Sequence, residues 1–343
     1  MFTYSETDHQ QPFLDSIPSV SCSTVCCGTS RVIVFFGEEL PAEEGPLYHF
    51  LFKALMGERS AAEGLKGDHY QFNKVAIVYP GDWPSELKFI FFQLDSQSQR
   101  LIPNLECGNL SVGAGMMALI ERMNSLDENG SLFARNEGTG QQMELIPHDI
   151  YRFWDCDWTV RFLNGHNHQY IYSQAHYGSL PVNESESIDY WMVEQGNVFI
   201  FVNAHPEMAN PALLEMLEEA GNQKAGVMGL DPVKSSMPKI IFYCTNEANF
   251  HQPIVEACCF FKGEMHQSLP GSGSMSLASF LTASLITENG VPIPSGTLVF
   301  TILHPSGSLK VSVDWETRKD EIVIANTSFT TSAKLLLHGK LAL

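Results

Sequence analysis

Two glycine-containing turns that run directly into apolar helical stretches constrain this chain more than any other feature. The first is Glu106-Cys107-Gly108-Asn109-Leu110-Ser111, followed by Val112 to Met123, and the second is Pro270-Gly271-Ser272-Gly273-Ser274, followed by Met275 to Ile286. They lie about half a chain apart. This repeat predicts a duplicated fold in which each half contributes one helix N-terminus to a shared cleft.

Short strand patterns surround both turns. Strands are predicted at 32–36, 74–78, 89–92, 158–171 and 198–202, and a helix opens at Pro41 and ends near Gly57. Few helices and many short strands, present twice, predict an α/β (α+β) fold of two pseudo-symmetric halves. Each half is expected to wrap a β-sheet around a central helix, rather than to form a doubly wound parallel sheet.

The length of 343 residues is typical of two domains rather than one core. Residues 1–25 are predicted to be a polar N-terminal tail. A polar, unpatterned segment from Pro181 to Asp189 marks the expected boundary. The predicted domains are therefore 26–183 and 184–343, with a last helix that packs on the first domain.

Composition excludes several classes of partner. The net charge of −19 argues against nucleic acid, because phosphate binding needs clustered Lys and Arg. No run reaches the roughly 18–20 apolar residues of a membrane helix. The first residues lack the basic-then-apolar order of a signal peptide, so a cytoplasmic location is expected. Whether the chain forms a homodimer stays open.

Eight cysteines offer no metal-binding pattern. None form a C-x-x-C pair, and the two adjacent pairs, Cys26-Cys27 and Cys258-Cys259, are poorly placed to chelate an ion. No metal site is predicted. Most of these thiols are interpreted as small buried hydrophobic groups.

Cys107 is the exception, because it stands immediately before a helix. Free backbone N–H groups and the helix dipole stabilise a thiolate there, and the same N–H groups can hold a carboxylate or an enolate oxygen. The pattern suits proton abstraction beside a carboxyl group. The alternative, an ordinary glycine-rich helix start with a core thiol, stays open from the residues alone.

Lys74 is the second candidate, since it opens an apolar strand. A lysine at a strand end beside a closed cleft can be desolvated and then act as an acid or a base. A solvated strand-end lysine is the alternative. His304-Pro305-Ser306-Gly307 is a turn signal whatever the function.

The order of these motifs resembles the 2-methylaconitate cis-trans isomerase and methylitaconate isomerase family, which has the diaminopimelate-epimerase-like fold. The series is Cys27-Gly28-Thr29-Ser30-Arg31, Lys74-Val75-Ala76-Ile77-Val78, Cys107-Gly108-Asn109-Leu110-Ser111, Gly196-Asn197-Val198, Pro238-Lys239-Ile240, the turn at 271–274, His304 to Gly307, and a closing helix from Thr331 to Gly339. The resemblance runs from about residue 26 to the end of the chain.

The resemblance implies an isomerase without a cofactor, which moves or re-orients a C=C bond in an unsaturated carboxylic acid. Lys74 and Cys107 would then transfer the proton, and either could act first. The residues expected to bind substrate are Thr29, Ser30, Arg31, Asn109, Ser111, Gly271, Ser272, Gly273, Ser274, His304, Ser306 and Gly307.

Several positions depart from the family pattern. Cys26 and Cys27 replace an Arg and a Gly, and Arg31 replaces a Lys. The Ser/Thr-rich stretch before the catalytic Lys has become Asp68 to Asn73, and the closing Arg is absent at Thr330 or Thr331. Because unpaired carboxylate oxygens are costly to bury, the substrate is expected to carry fewer carboxylates than a tricarboxylic acid, or to be larger and more apolar.

Two other functions remain open. The altered stretch from Asp68 to Asn73 is compatible with a scaffold repurposed as a cyclase for a specialised metabolite. A non-catalytic ligand-binding protein is the third alternative, although retention of both Lys74 and Cys107 argues against it. An amino-acid epimerase is disfavoured, since that chemistry needs two thiols and the second turn supplies Ser272 or Ser274.

Overall fold

The computed structural model describes residues 19–57, 64–95, 99–103, 105–163, 170–171, 175–182, 185–195, 197–227, 238–246, 252–261, 263–289, 295–318 and 321–342. In these ranges the chain forms eighteen strands and four α-helices. None of the helices within them combines the length and the apolar character that crossing a membrane requires.

The elements fall into two series along the chain. The first series comprises β1 (Ser19–Cys27), β2 (Ser30–Phe36), α1 (Glu44–Met56), β3 (Lys74–Pro80), β4 (Glu86–Asp95), β5 (Arg100–Pro103), α2 (Gly108–Ile120), β6 (Leu132–Asn136), β7 (Gln142–Pro147), β8 (Asp155–Leu163) and β9 (Tyr170–Ile171). The second comprises β10 (His176–Pro181), β11 (Ser187–Gln195), β12 (Asn197–Asn203), α3 (Pro211–Val227), β13 (Lys239–Asn246), β14 (Ile254–Phe261), β15 (Glu264–Met265), α4 (Gly271–Asn289), β16 (Ser295–His304), β17 (Gly307–Arg318) and β18 (Glu321–Ala342).

Strand pairing repeats between the two series. β2 is parallel to β3, β3 antiparallel to β4, and β4 parallel to β6. In the second series β12 is parallel to β13, β13 antiparallel to β14, and β14 parallel to β16. Antiparallel meanders β6–β7–β8 and β16–β17–β18 complete the halves. The predicted duplication is therefore confirmed at the level of strand order and direction.

A buried helix occupies the centre of each half. Helix α2 lies against β1 to β4 and β6 to β8, and α4 lies against β11, β12 and β16 to β18. Residues 108–118 of α2 are all buried, as expected for a helix that is apolar or small on every side. The prediction of a β-sheet wrapped around a central helix in each half is correct.

Strand alternation determines which face meets which helix. On β2, Val32 and Val34 point towards α2, whereas Ile33 and Phe35 pack on the other face with Leu51 of α1. The second half repeats this layering, with α3 covering the outer face of β12 and β13. Each half thus has three layers, and only the inner helix reaches the space between the halves.

The closing segment corrects one prediction. Thr331 to Gly339 is not a helix but part of the 22-residue strand β18. Burial alternates along it, because every second side chain meets the core, and its register pairs it with β17, β8 and β1 in turn. The closing helix that the family resemblance implied is therefore wrong for this segment.

Two predicted boundaries also differ from the observed elements. Strand β1 begins at Ser19, so the part of the predicted tail from there onward is in the sheet, while residues 1–18 lie outside the described ranges. Strand β10 pairs with β11 although it precedes residue 184. Strand β18 carries the C-terminal sequence back into the first half, so the halves share strands; the domain division at 183/184 stays a prediction.

Candidate active site

A cavity that opens to solvent lies where the two halves meet. Its walls come from β2, β3, β4 and α2 of the first half and from β12, β13, β14 and α4 of the second. The lining residues are Thr29, Ser30, Tyr70, Gln71, Lys74, Phe91, Gln93, Leu105, Glu106, Cys107, Gly108, Asn109, Asn197, Lys239, Phe261, His266, Pro270, Gly271 and Ser272.

Lys74 and Cys107 meet inside this cavity. Lys74 Nζ lies 3.2 Å from Cys107 Sγ and donates to Ser30 Oγ at 2.7 Å. Lys74 is the first residue of β3, and Cys107 precedes the first residue of α2. Residues 33 positions apart in the chain are therefore joined by the parallel pairing of β2 with β3 and by the packing of α2 beneath both strands.

Cys107 is the N-cap of α2. Its backbone is extended, and its Sγ accepts a hydrogen bond from Leu110 N at 3.4 Å, as a capping side chain does. A thiolate at this position therefore receives a backbone N–H and the ammonium of Lys74 together. Charge-assisted contacts of this kind are stronger than neutral ones.

The start of α4 repeats this geometry without the thiol. Ser274 N donates to Pro270 O at 2.8 Å, as Ser111 N donates to Cys107 O at 3.1 Å. Pro270 thus occupies the position equivalent to Cys107. The side chain that replaces the thiol is a proline ring, which carries no acid or base, rather than a serine hydroxyl.

Two shared contacts hold the helix starts against each other. Asn197, the first residue of β12, donates through Nδ2 to Glu106 O at 3.0 Å and to Ser272 Oγ at 3.2 Å. Phe329 lies beside both helix starts, and an added Cβ would approach its ring to 2.8 Å at Gly108 and 2.6 Å at Gly271. Glycine is therefore required at the first position of both helices.

Glu106 is a buried carboxyl that immediately precedes Cys107 in the chain. Its side chain accepts a hydrogen bond from Thr139 Oγ1, while its Oε2 is buried without a partner. Burial raises the pKa of Glu106 to about 7, and the hydrogen bonds from Thr139 and Asn136 only partly oppose this. Around neutral pH the group therefore exists in both charged and neutral forms.

His266 contributes a neutral imidazole to the cavity wall. Burial lowers its pKa to about 4, and the positive charges of Lys74 and Lys239 act in the same direction. Its Nδ1 lies 2.6 Å from Ser268 O, a carbonyl that can only accept. Ser268 N also lies 3.3 Å from Nδ1, so both backbone groups of Ser268 hold the imidazole in place.

Lys239 and Tyr70 complete the opposite wall. Lys239 is the first residue of β13, and burial together with the charge of Lys74 lowers its pKa. Tyr70 lies in the short 3-10 turn Tyr70–Phe72, and Gln93 Nε2 holds that turn by donating to Tyr70 O at 2.9 Å. Burial is the main cause of the raised pKa of Tyr70.

Sequence reasoning did not select Glu106, His266, Lys239 or Tyr70 as site residues. A signal existed for Lys239, because it opens an apolar strand just as Lys74 does. Glu106 stands next to Cys107, but its burial depends on the packing of both halves. Nothing local distinguishes Tyr70 or His266 from ordinary loop residues.

Of the residues predicted to bind substrate, the cavity collects Thr29, Ser30, Asn109, Gly271 and Ser272. His304 lies in an adjoining depression that Thr29, Asn109 and Gly271 also line. The cavity lining does not include Arg31, Ser111, Gly273, Ser274, Ser306 or Gly307. All of these assignments to substrate binding stay predictions.

The residues outside the lining have structural contacts instead. Arg31 donates to Leu65 O at 3.2 Å and lies over the Phe72 ring. Ser111 and Ser274 each donate to a carbonyl at their own helix start. Ser306 donates to Gln267 O, in the exposed turn between β16 and β17 that also holds Gly307.

One group of metal-ligating side chains lies elsewhere in the described chain. His205, Cys244 and Glu256 have potential ligand atoms within 4.8 Å of one another, and they are exposed or partly exposed at the surface of the second half. None of the three lines the cavity between the halves.

The fold is that of known isomerases and epimerases. A methylitaconate-delta-isomerase structure aligns over 95% of this chain and 95% of its own, with a TM-score of 0.64 and 18% identity. A hydroxyproline epimerase from Agrobacterium vitis with bound trans-4-hydroxy-L-proline aligns over 95% and 93%, with a TM-score of 0.59 and 15% identity. A probable proline racemase from Agrobacterium radiobacter K84 with bound carbonate aligns over 94% and 93%, with a TM-score of 0.60 and 14% identity. No protein-family model and no curated sequence matches the chain.

Proposed function

We propose that this protein is an isomerase that needs no cofactor and moves or re-orients a C=C bond in an unsaturated carboxylic acid by proton transfer. The contact of 3.2 Å between Lys74 Nζ and Cys107 Sγ, inside a cavity framed by two helix N-termini, carries this proposal. A basic amine and a thiol in contact form a pair that can remove a proton from carbon and return it.

The proposed step needs only the two side chains and the substrate. One member of the pair, Cys107 as thiolate or Lys74 as free amine, takes a proton from the allylic carbon. The C–H electron pair becomes part of a dienolate that extends into the carboxyl group. The conjugate acid then returns a proton at another carbon of the dienolate, so that the double bond changes position or geometry and the atoms balance.

Charge that develops on the carboxyl group has donors nearby. The first turns of α2 and α4 face the cavity through Gly108 and Asn109 and through Gly271 and Ser272. Helix N-termini present free N–H groups and the positive end of the dipole. Donors aimed at the place where charge develops lower the barrier most when water is excluded.

The ligands named for two proteins of this fold agree with such a site. One carries trans-4-hydroxy-L-proline and the other carbonate. Amino-acid epimerisation is not proposed here, because Pro270 occupies the position at which a second thiol would face Cys107. A single thiol paired with a lysine suits removal and return of a proton within one substrate.

A cyclase for a specialised metabolite is the second candidate. The altered stretch from Asp68 to Asn73 supports it, since Tyr70 and Gln71 from that stretch form part of the cavity wall. In a cyclase the shape of the wall would accelerate ring closure, and Lys74 or Cys107 would be dispensable.

Proton exchange in deuterated water, read by NMR, tests the leading proposal. Wild type is incubated with a panel of unsaturated mono-, di- and tricarboxylic acids, beside Cys107→Ala and Lys74→Ala. Deuterium incorporation is expected in wild type, with a loss of about 10²- to 10⁴-fold in each variant.

Cys156→Ala and Lys310→Ala are the matched controls, because neither residue lines the cavity. Both should exchange at the wild-type rate. Exchange that survives in Cys107→Ala and Lys74→Ala would refute the assigned pair. No exchange with any acid, together with consumption of a larger polyene, would favour the cyclase.

A further inference from the structure

The cavity wall contains a buried hydroxyl without a partner and a lysine that is not engaged by the thiol. Tyr70 Oη is buried without a hydrogen bond. Lys239 Nζ lies over the rings of Phe199 and Phe261. By contrast, Lys74 is engaged with Cys107 and Ser30. An unpaired buried hydroxyl is costly, which points to a ligand that pairs with Tyr70 Oη.

The two donors share one aromatic wall. Lys239 Nζ lies 5.7 Å from the ring centroid of Phe261 and 5.9 Å from that of Phe199. The ring of Tyr70 packs against that of Phe261, with 4.9 Å between the two centroids. Strand pairing produces this arrangement, since β13 and β14 place Lys239 beside Phe261. The ring of Phe261 is therefore in contact with both the ammonium of Lys239 and the ring of Tyr70.

The charges of the lining limit how many carboxylates fit. Among the nineteen lining residues the ionisable cations are Lys74, Lys239 and His266. His266 is neutral at physiological pH because its pKa is about 4. Glu106 adds negative charge as pH rises past about 7. With Lys74 engaged by the thiol, one free cation remains, and a second carboxylate would meet the field of Glu106 and of a chain whose net charge is −19.

We infer that Lys239 and Tyr70 together bind the carboxylate of the substrate, and that the substrate is a planar, conjugated monocarboxylate whose hydrocarbon part lies against Phe261. This inference rests on the proposed function and specifies its substrate class. The first half supplies the proton-transfer pair, and the second half supplies the charged anchor through the strand position that matches Lys74. Lys239 and Tyr70 would hold one carboxyl oxygen while a helix N-terminus holds the other.

Sorbate, a conjugated monocarboxylate, is the probe. Its dissociation constant is measured by titration calorimetry with wild type, Lys239→Met, Tyr70→Phe and the exposed-site control Lys310→Met. Loss of a charge-assisted contact should weaken binding by about tenfold or more in Lys239→Met and by about threefold to tenfold in Tyr70→Phe. Lys310→Met should match wild type. The neutral isostere 2,4-hexadien-1-ol should bind more weakly than sorbate and with equal affinity to wild type and Lys239→Met.

Two further variants separate anchoring from other roles. Lys239→Arg keeps the cation, so it should retain sorbate affinity and proton exchange; loss of exchange with retained affinity would instead make Lys239 a proton-transfer group and overturn the anchor. Without ligand, Lys239→Met should raise the melting temperature, because an unpaired ammonium is removed, whereas a merely structural lysine would lower it.

Three results would overturn the inference. They are no sorbate binding to wild type at about 10 mM, an unchanged affinity in Lys239→Met, and tighter binding of trans-aconitate than of sorbate. Cys107→Ala separates this test from that of the proposed function, since it should abolish exchange while sorbate binding persists. Binding that depends on Lys239 without exchange in wild type would refute the isomerase and keep the anchor.

Discussion

The two halves present the same backbone frame with different chemistry at equivalent positions. Lys74 opens β3 and Lys239 opens β13, and each of these strands pairs in parallel with the strand before it. Lys74 contacts a thiol, whereas Lys239 contacts aromatic rings. Cys107 and Pro270 each precede a central helix, and only the first can transfer a proton.

This contrast shows how the two halves of a duplicated fold can carry different chemical groups at equivalent positions. The features that the frame needs are kept twice: a helix start with glycine against Phe329, and a strand that ends at the cavity. The features that react occur once. Because Lys74 and Lys239 both line one cavity, the groups of one half lie across the cleft from those of the other.

The same substitution at both lysines should separate the halves most strongly. Arginine keeps the charge but cannot give up its proton, so Lys74→Arg is expected to lower proton exchange by about 10²- to 10⁴-fold. Lys239→Arg should stay near the wild-type rate. Deuterium incorporation measured by NMR in the two variants provides the test, and equal losses would remove the proposed division of labour.

The second difference between the halves is at Glu106, because the buried Leu269 occupies the equivalent position in the second half. The pKa of Glu106 rises from 4.5 to about 7 in the folded state, so the folded protein binds the extra proton between those values. Its contribution lowers the free energy of unfolding as pH rises through that window, by up to about 3 kcal/mol. Glu106→Gln should therefore be more stable than wild type at about pH 8.

Urea unfolding at low and high pH checks this expectation. In wild type the free energy of unfolding should decrease from the acidic to the alkaline end of the window. In Glu106→Gln this decrease should be smaller. A parallel pH dependence in both proteins would mean that Glu106 is not the group responsible.

Substitution of Gly108 and of Gly271 should lower stability by similar amounts, because both helix starts pack against Phe329. Alanine at either position drives a Cβ into the Phe329 ring, at a cost of about 1–3 kcal/mol despite the better helix propensity of alanine. Gly45 near the start of α1 has open space around it, so Gly45→Ala is the matched control. Thermal unfolding of the three variants measures the effect, and a large loss in Gly45→Ala would point to a different cause.

The smallest effect is expected at the contact that joins the two helix starts. Asn197→Ala leaves Glu106 O and Ser272 Oγ without their shared donor and should lower the free energy of unfolding by about 1–2 kcal/mol. Ser30, the first residue of β2, is the counterpart. Ser30→Ala should act mainly on the rate of proton exchange, because Ser30 Oγ accepts a hydrogen bond from Lys74. Its effect on the free energy of unfolding should be small. Denaturant unfolding and exchange rates measured on both variants check the contrast.

Local pattern was enough for the parts of the fold that depend on local energetics. A glycine turn followed by an apolar run predicted α2 and α4, and β-branched runs predicted β2, β3 and β12. The closing helix from Thr331 to Gly339, which the family resemblance implied, is part of the strand β18 instead. This strand leaves one half and enters the other, and its core-facing residues are set by three different partners.

The sequence by itself determined the duplicated frame, because a glycine turn before an apolar helix is a local pattern. It also made Lys74 and Cys107 candidates through their places at a strand end and a helix start, and the family resemblance selected them as the pair. Only the tertiary structure decided which groups meet across the cleft. Glu106, Tyr70, His266 and Lys239 acquire their character from burial by the opposite half, and desolvation is a property of the assembled cavity rather than of any segment.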